Sequence, residues 1–291
     1  MKVIISIPAY NEEKNLLDVI KEIKETMSKT KYNYSILVLD DGSRDKTAEI
    51  AKKAGAIIIS NSRNLGLAET FKKEMQECVN LDADIIVHTD ADGQYPALYI
   101  PYLIKKIEEG YDLVLGSRFG KGKYSETFLK KIGNVAFAKI FSGLLKTKIT
   151  DTTTGFRAFT KEVAKLPLIN TFTYTQEQLI RAGKTKMKIT EIPITTRKTR
   201  KSKLFNGPID YAIKAWINIF RIYRDYAPLK FFGLFGGIFI LVGFILGVWV
   251  IYNIITAGAA GGIPRVILSA LCIITGLQIW FFGFLADMIR K

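Results

Sequence analysis

Residues 84–96 read DIIVHTDADGQYP. Ile85, Ile86 and Val87 form a run too continuously apolar to alternate between a wet and a dry face. That marks a short strand buried on both sides. The run stops at Thr89, and two carboxylates, Asp90 and Asp92, follow at once with Gly93 beside them. The same pattern recurs on both sides along the chain. VIISI (3–7) runs into PAYNE (8–12), SILVLD (35–40) into Asp41-Gly42-Ser43, and AIIIS (56–60) and LVLGS (113–117) complete the series. Helical patterns fill the gaps at about 12–27, 46–54, 67–79 and 96–109. Apolar strands alternating with helices predict an α/β fold with a mostly parallel sheet covered on both faces. Such folds bind ligands at the carboxyl ends of their strands, which is where the acidic residues collect.

Acidic side chains at the ends of buried strands cost free energy unless something compensates them. The expectation is that Asp40, Asp41, Asp90 and Asp92 converge on one edge. A divalent cation carrying a phosphate-bearing ligand is one such compensator, because Mg²⁺ takes one or two carboxylates and fills its shell with phosphate and water oxygens. Gln94 offers a neutral oxygen at the same turn. Caps and turns use Asp equally well, so an isolated Asp-x-Asp says little. Its placement after one buried strand, with Asp-Asp-Gly-Ser after another, gives it weight.

Composition divides the chain. The 291 residues carry 42 Lys+Arg and 27 Asp+Glu, a net +15. Residues 231–291 hold only Arg265, Asp287, Arg290 and Lys291, leaving 39 basic and 26 acidic residues, or +13, in 1–230. Segments 231–255 and 266–286 are free of charge and long enough to span a hydrocarbon core, which needs about 20 apolar residues. TAGAAGGIPR (256–265) joins them as a tight turn. Lys and Arg crowd before Phe231 and return at Arg290 and Lys291, so the positive-inside rule puts both termini and the globular part in the cytoplasm. A buried helical hairpin of a soluble protein is the alternative. Five glycines, Gly233, Gly236, Gly237, Gly243 and Gly247, permit close helix packing and self-association. Upstream, Ile213, Trp216, Ile217, Phe220 and Tyr223 share one helical face, which suits a helix lying in the membrane interface. The expected organisation is a catalytic domain over 1–205, an interfacial helix over 206–230 and a transmembrane hairpin over 231–291.

A composition with 48% hydrophobic residues excludes disorder. Two cysteines, Cys78 and Cys272, exclude a disulfide framework. With His88 as the single histidine, a zinc site has too few ligands, and any hydrolase triad would have to use it. No nucleic-acid-binding motif accompanies the basic charge.

PAYNE (8–12), LDDGSRDKT (39–47), NLG (64–66), TDADGQYP (89–96), LGSR (115–118) and DTTTGFRAF (151–159) together resemble the family 2 inverting glycosyltransferases. More narrowly they resemble the branch that acts on dolichyl and polyprenyl phosphates. The resemblance covers roughly 1–205 and implies a GT-A fold with a Rossmann-like, mostly parallel sheet. It also implies roles. Pro8, Tyr10, Glu12 and Asp40 would hold the nucleoside of a nucleoside diphosphate sugar, and Asp90 and Ala91 would lie along its ribose and diphosphate. Asp92 and Gln94 would ligate Mg²⁺ or Mn²⁺. Arg118 would neutralise an acceptor or donor phosphate; Lys121 and Lys123 after it, read from the basic surface alone, would attract the acceptor lipid phosphate, touch anionic headgroups or form a solvated face. Arg197 and Lys203, in RKTRKSKL (197–204), would clamp the donor diphosphate. Asp90, Asp92 and Arg118 are the expected catalytic residues.

Many relatives with hydroxyl acceptors carry a Glu-Asp pair, and the corresponding stretch, FTYTQEQLI (172–180), lacks it. A phosphate monoester is already ionised near neutral pH and needs little general base, so a lipid phosphate acceptor is the leading expectation. Glu177 is left as a base, a sugar-positioning group or a helix-surface residue, and Arg157 as a ligand or a structural arginine. A hydroxyl acceptor on a glycan, glycolipid or protein, and an inactive membrane scaffold, are the competing readings.

Overall fold

The structure, a computed structural model, describes residues 1–119, 142–143, 147–168, 174–197, 217, 220–221, 224, 226–258 and 262–289. The chain divides into two compact units, Met1–Pro208 and Ile209–Lys291.

Among its described residues unit one has seven strands: β1 (Lys2–Ala9), β2 (Asn33–Asp40), β3 (Ile57–Ser60), β4 (Ile85–His88), β5 (Leu113–Ser117), β6 (Arg157–Thr160) and β7 (Ile189–Pro193). They form one sheet in the order β3-β2-β1-β4-β6-β5-β7. β1 pairs in parallel with β2 and β4, β2 with β3, and β5 with β7, while β6 runs antiparallel between β4 and β5. The mostly parallel sheet is as the strand pattern predicts. The inserted β6 and the edge strand β7 are additions to it.

The α-helices among the described residues of unit one are α1 (Leu16–Met27), α2 (Thr47–Lys53), α3 (Leu67–Asn80), α4 (Ile100–Glu108), α5 (Lys161–Ala164) and α6 (Tyr174–Lys184). On α1, Leu16, Val19, Ile20, Ile23 and Met27 are buried. Their three- and four-residue spacing lays one stripe on the sheet. They pack in one cluster with Val3, Ile5 and Ile7 of β1 and with Ile100, Leu103, Ile104 and Ile107 of α4. Each such aliphatic side chain contributes roughly 1.5–3 kcal/mol by leaving water. α1 starts four residues later than the sequence pattern suggests. Asn11 takes a left-handed φ of 53°, Glu12 donates its N–H to Thr47 Oγ1 at 2.9 Å, and Glu12 O accepts from Asn15 N and Leu16 N. This turn aims the end of β1 at the loop after β2.

The chain leaves β1 outward through β2 and β3, then returns on the other side of β1 as β4. That reversal opens a crevice between the carboxyl ends of β1 and β4, the position where open α/β sheets bind ligands. The register brings the loops together there: Ala9 pairs with Asp40, and Ser6 pairs with His88, two residues before Asp90.

Unit two contains α7 (Pro228–Ala257) and α8 (Ile263–Ile289), both long and apolar enough to cross a membrane. They meet along small residues. An added methyl on Gly236 would sit 2.7 Å from Gly276 O, and one on Gly243 would sit 2.9 Å from Ser269 O. Ser269 Oγ donates to Gly243 O at 2.7 Å, and Trp280 Nε1 donates to Gly233 O at 3.0 Å. Away from that seam, Phe244, Ile255, Phe281 and Phe284 are all exposed. The hairpin is therefore not a buried core element. So large an apolar surface requires an apolar surrounding. Most of the expected interfacial helix, Ile213, Trp216 and Tyr223 included, lies outside the described residues.

Candidate active site

The loops after β1 and β2 are sewn together. Ser43 Oγ accepts from Asn11 N at 2.9 Å, Asn11 Oδ1 accepts from Arg44 N at 2.9 Å, and Asp45 Oδ2 accepts from Glu13 N at 3.2 Å. Pro8 is buried as the penultimate residue of β1, and Tyr10 stands exposed just beyond it. Glu12 is buried, with Oε2 accepting from Asn15 Nδ2. Asp40 closes β2 and caps its own turn by accepting from Ser43 N at 3.0 Å. Asp41 turns to the neighbouring loop. Its carboxylate accepts from Asn61 Nδ2 (2.9 Å), Leu65 N (2.8 Å) and Gly66 N (2.9 Å). Only glycine fits at Gly42, because φ is +70° and a Cβ would fall 2.6 Å from the Arg63 carbonyl carbon.

After β4, Asp90 is half-buried and backs onto Gly155, where a methyl group would lie 3.0 Å from Asp90 Oδ1. Burial pushes its carboxyl above the usual carboxylate range, against the pull of His88 and with a push from Asp92. Ala91 packs into the core. Asp92 accepts from Gln94 N at 2.9 Å, across a turn that Gly93 permits with φ +74°. Gln94 O in turn accepts from Arg197 N at 2.9 Å. The Arg197 guanidinium does not stand open. It donates to both oxygens of Glu22, at 2.7 and 2.9 Å, and Glu22 Oε1 also accepts from Ala97 N at 3.0 Å. The hydrogen bond with Arg197 is the main reason the Glu22 carboxyl lies below its ordinary value. Glu22 thus ties the turn after Asp92 to the start of the basic loop.

At the end of β5, Arg118 donates Nε and Nη2 to the two oxygens of Asp151, at 2.7 and 2.9 Å, and Nη2 also to Thr153 Oγ1 at 2.8 Å. Lys121, Lys123 and Lys203 lie outside the described residues. Arg157 is fully buried. It donates to Thr175 O (2.9 Å), Gln178 Oε1 (3.1 Å) and Thr154 O, and burial lowers its pKa to about 10. Those contacts make it a structural fastener between β6 and α6. Glu177 is buried rather than on the helix surface, and Arg181 Nε reaches its Oε1 at 2.9 Å. His88 Nδ1 and Glu74 Oε1 lie 2.7 Å apart in the core, with Phe71 edge-on to the ring.

Among the described residues no three His, Cys, Asp or Glu side chains cluster as an all-protein metal cage. The turn at 90–94 instead offers two carboxylates and one amide, all hard oxygen donors. That set fits Mg²⁺ or Mn²⁺ held together with phosphate oxygens. Sequence reasoning passed over Glu22 and Asp151. Glu22 looks like any solvated helix charge, and its partner is 175 positions away. Asp151 opens the DTTTGFRAF motif, but only the fold shows that it faces Arg118.

Residues 4–166 match the family model described as Glycosyl transferase family 2. A dolichol-phosphate mannosyltransferase of Pyrococcus furiosus is 31% identical over 97% of this chain and 81% of its own length. A dolichyl-phosphate hexose transferase of Haloferax volcanii is 34% identical over 65% of this chain and 79% of its own. The fold is shared with the Mycobacterium tuberculosis glucosyl-3-phosphoglycerate synthase crystallised with Mn²⁺ and UDP-glucose, at a TM-score of 0.58 and 21% identity over 76% of this chain and 78% of that one. With the strand-end acidic turn, the GT-A-like sheet and a family model spanning more than half its length, this chain belongs to the family 2 glycosyltransferases.

Proposed function

We propose that this enzyme transfers one hexose from a nucleoside diphosphate sugar to a polyprenyl or dolichyl phosphate at the cytoplasmic face of a membrane. The observation that carries the reading is the site's division of labour. An acidic turn at the β1–β4 crevice suits a metal-bound diphosphate, and an arginine at the end of β5 suits an anionic acceptor. The one carboxylate of the α6 stretch, Glu177, is buried against Arg181. The names of the Pyrococcus and Haloferax relatives and the exposed apolar hairpin agree with it.

In this account Pro8, Tyr10, Glu12 and Asp40 hold the nucleoside, and Asp90 and Ala91 flank the ribose and diphosphate. Asp92 and Gln94 hold Mg²⁺ or Mn²⁺, which supplies Lewis-acid neutralisation of the departing diphosphate. Arg197 and Lys203 add positive charge where the leaving group gains negative charge. Arg197 must first exchange Glu22 for the phosphate, and partly exposed ion pairs of this kind are worth roughly 0.2–1 kcal/mol. Arg118, Lys121 and Lys123 orient the acceptor. One acceptor phosphate oxygen bonds to the anomeric carbon as the bond to the diphosphate oxygen breaks, inverting the configuration. The acceptor arrives ionised, so Glu177 takes no proton. The hairpin of 231–291 anchors the enzyme in the bilayer that dissolves the acceptor's lipid chain, and residues 1–205 act from the cytoplasmic side.

Asp92→Asn tests the donor half. The variant should still fold and insert but lose metal-dependent binding of nucleotide sugars in calorimetry, with sugar transfer falling by about 100-fold or more. Wild-type activity in this variant would remove Asp92 from the site.

A further inference from the structure

Asp151 is one of the most deeply buried carboxylates of unit one, at 1% exposure, and its acceptor capacity is spent on Arg118 and Thr153. Oδ2 accepts from Arg118 N at 3.2 Å and Nε at 2.7 Å. Oδ1 accepts from Arg118 Nη2 at 2.9 Å and from Thr153 N at 3.2 Å and Oγ1 at 3.3 Å. The residue before it is pinned as firmly. Thr150 donates N and Oγ1 to the two oxygens of Glu191, at 2.8 and 2.6 Å, and its Oγ1 lies 2.6 Å from Ser117 Oγ. Glu191, Thr150, Asp151 and Arg118 therefore form one polar chain from β7 to the end of β5. It closes the base of the excursion between residues 118 and 151.

A lone arginine side chain has many rotamers, and ordering one on a ligand costs binding free energy. A two-point fork onto a fixed carboxylate removes that freedom beforehand. We infer that Asp151 is a positioning residue for the acceptor phosphate, setting the guanidinium plane of Arg118 through its fork, with Thr153 as the third point. The inference rests on the role of Arg118 proposed above. It requires orientation rather than net charge, because Asp151 and Arg118 together sum to zero.

The test is steady-state transfer to polyprenyl phosphate in detergent or liposomes, with the full chain. Asp151→Asn keeps the shape and weakens the fork. It should raise KM for the lipid phosphate roughly tenfold or more, with kcat and calorimetric binding of the nucleotide sugar changed less than about twofold. Arg118→Lys should raise the same acceptor KM at least as far, and Arg118→Lys/Asp151→Asn should be no worse than Arg118→Lys alone. If Asp151→Asn fails to fold, Thr153→Val, which removes one hydroxyl, should raise the same KM several-fold. An unchanged acceptor KM in both Asp151→Asn and Thr153→Val, or losses that add in the double variant, would overturn the inference. Transfer by the wild type with an unaffected Arg118→Lys would overturn the role of Arg118 itself. Absence of transfer by the wild type would overturn the proposed function.

Discussion

Asp90 shows how the site costs the fold stability. Its carboxyl is raised because burial disfavours the charged form. A folded value above the unfolded one means the penalty is present in full at neutral pH and fades as pH falls through the folded value and the group protonates. Asp90→Asn should therefore raise Tm at pH 7, with the advantage shrinking as pH falls and the carboxyl protonates, while transfer activity is lost. A wild type more stable than the Asn variant at pH 7 would show that Asp90 is a structural residue. The placement of Asp90 and Asp92 directly after a buried strand was legible in the sequence. Their partners were not. Asp41 sits one residue from Asp40 yet serves the 61–66 loop, and Glu22 and Asp151 gain meaning only when distant segments meet.

At the scale of elements, every strand and helix of residues 1–117 was legible, since each apolar run there is at least four residues long and bounded by turn chemistry. β6 and β7 were not. RAFT places a buried arginine in a four-residue strand and ITEIP carries Glu191, so neither shows the apolar continuity that marked β4. What stabilises β6 is tertiary: Arg157 donates to Thr175 O and Gln178 Oε1 of α6, and both neighbouring strands pair with it. The hairpin gives a test at this scale. A side chain on Gly276 would collide with Gly236 O at 2.7 Å and Ile240 Cγ1 at 2.6 Å, whereas Gly237 has nothing within 4 Å. Gly276→Leu should cost roughly 1–3 kcal/mol through overpacking and lower the Tm of the detergent-solubilised protein. Gly237→Leu should leave it within about a degree. Equal effects would mean that α7 and α8 are not held by this seam.

At the scale of the molecule, the +15 charge and the apolar tail are two halves of one arrangement. On the proposed reading a basic GT-A unit handles phosphates in water, and the hairpin, with Phe244, Ile255, Phe281 and Phe284 exposed, sits in lipid. In the sequence, charge falls away abruptly after Lys230. The choice of acceptor is the central claim. It is tested most directly by offering the purified full chain labelled nucleotide sugars and Mg²⁺ with either polyprenyl phosphate or the unphosphorylated polyprenol of the same length. The account predicts label in the lipid phase with the phosphate alone, as an acid-labile sugar phosphate. Label on the free alcohol or on a glycan, or none in lipid with any common donor, would contradict it.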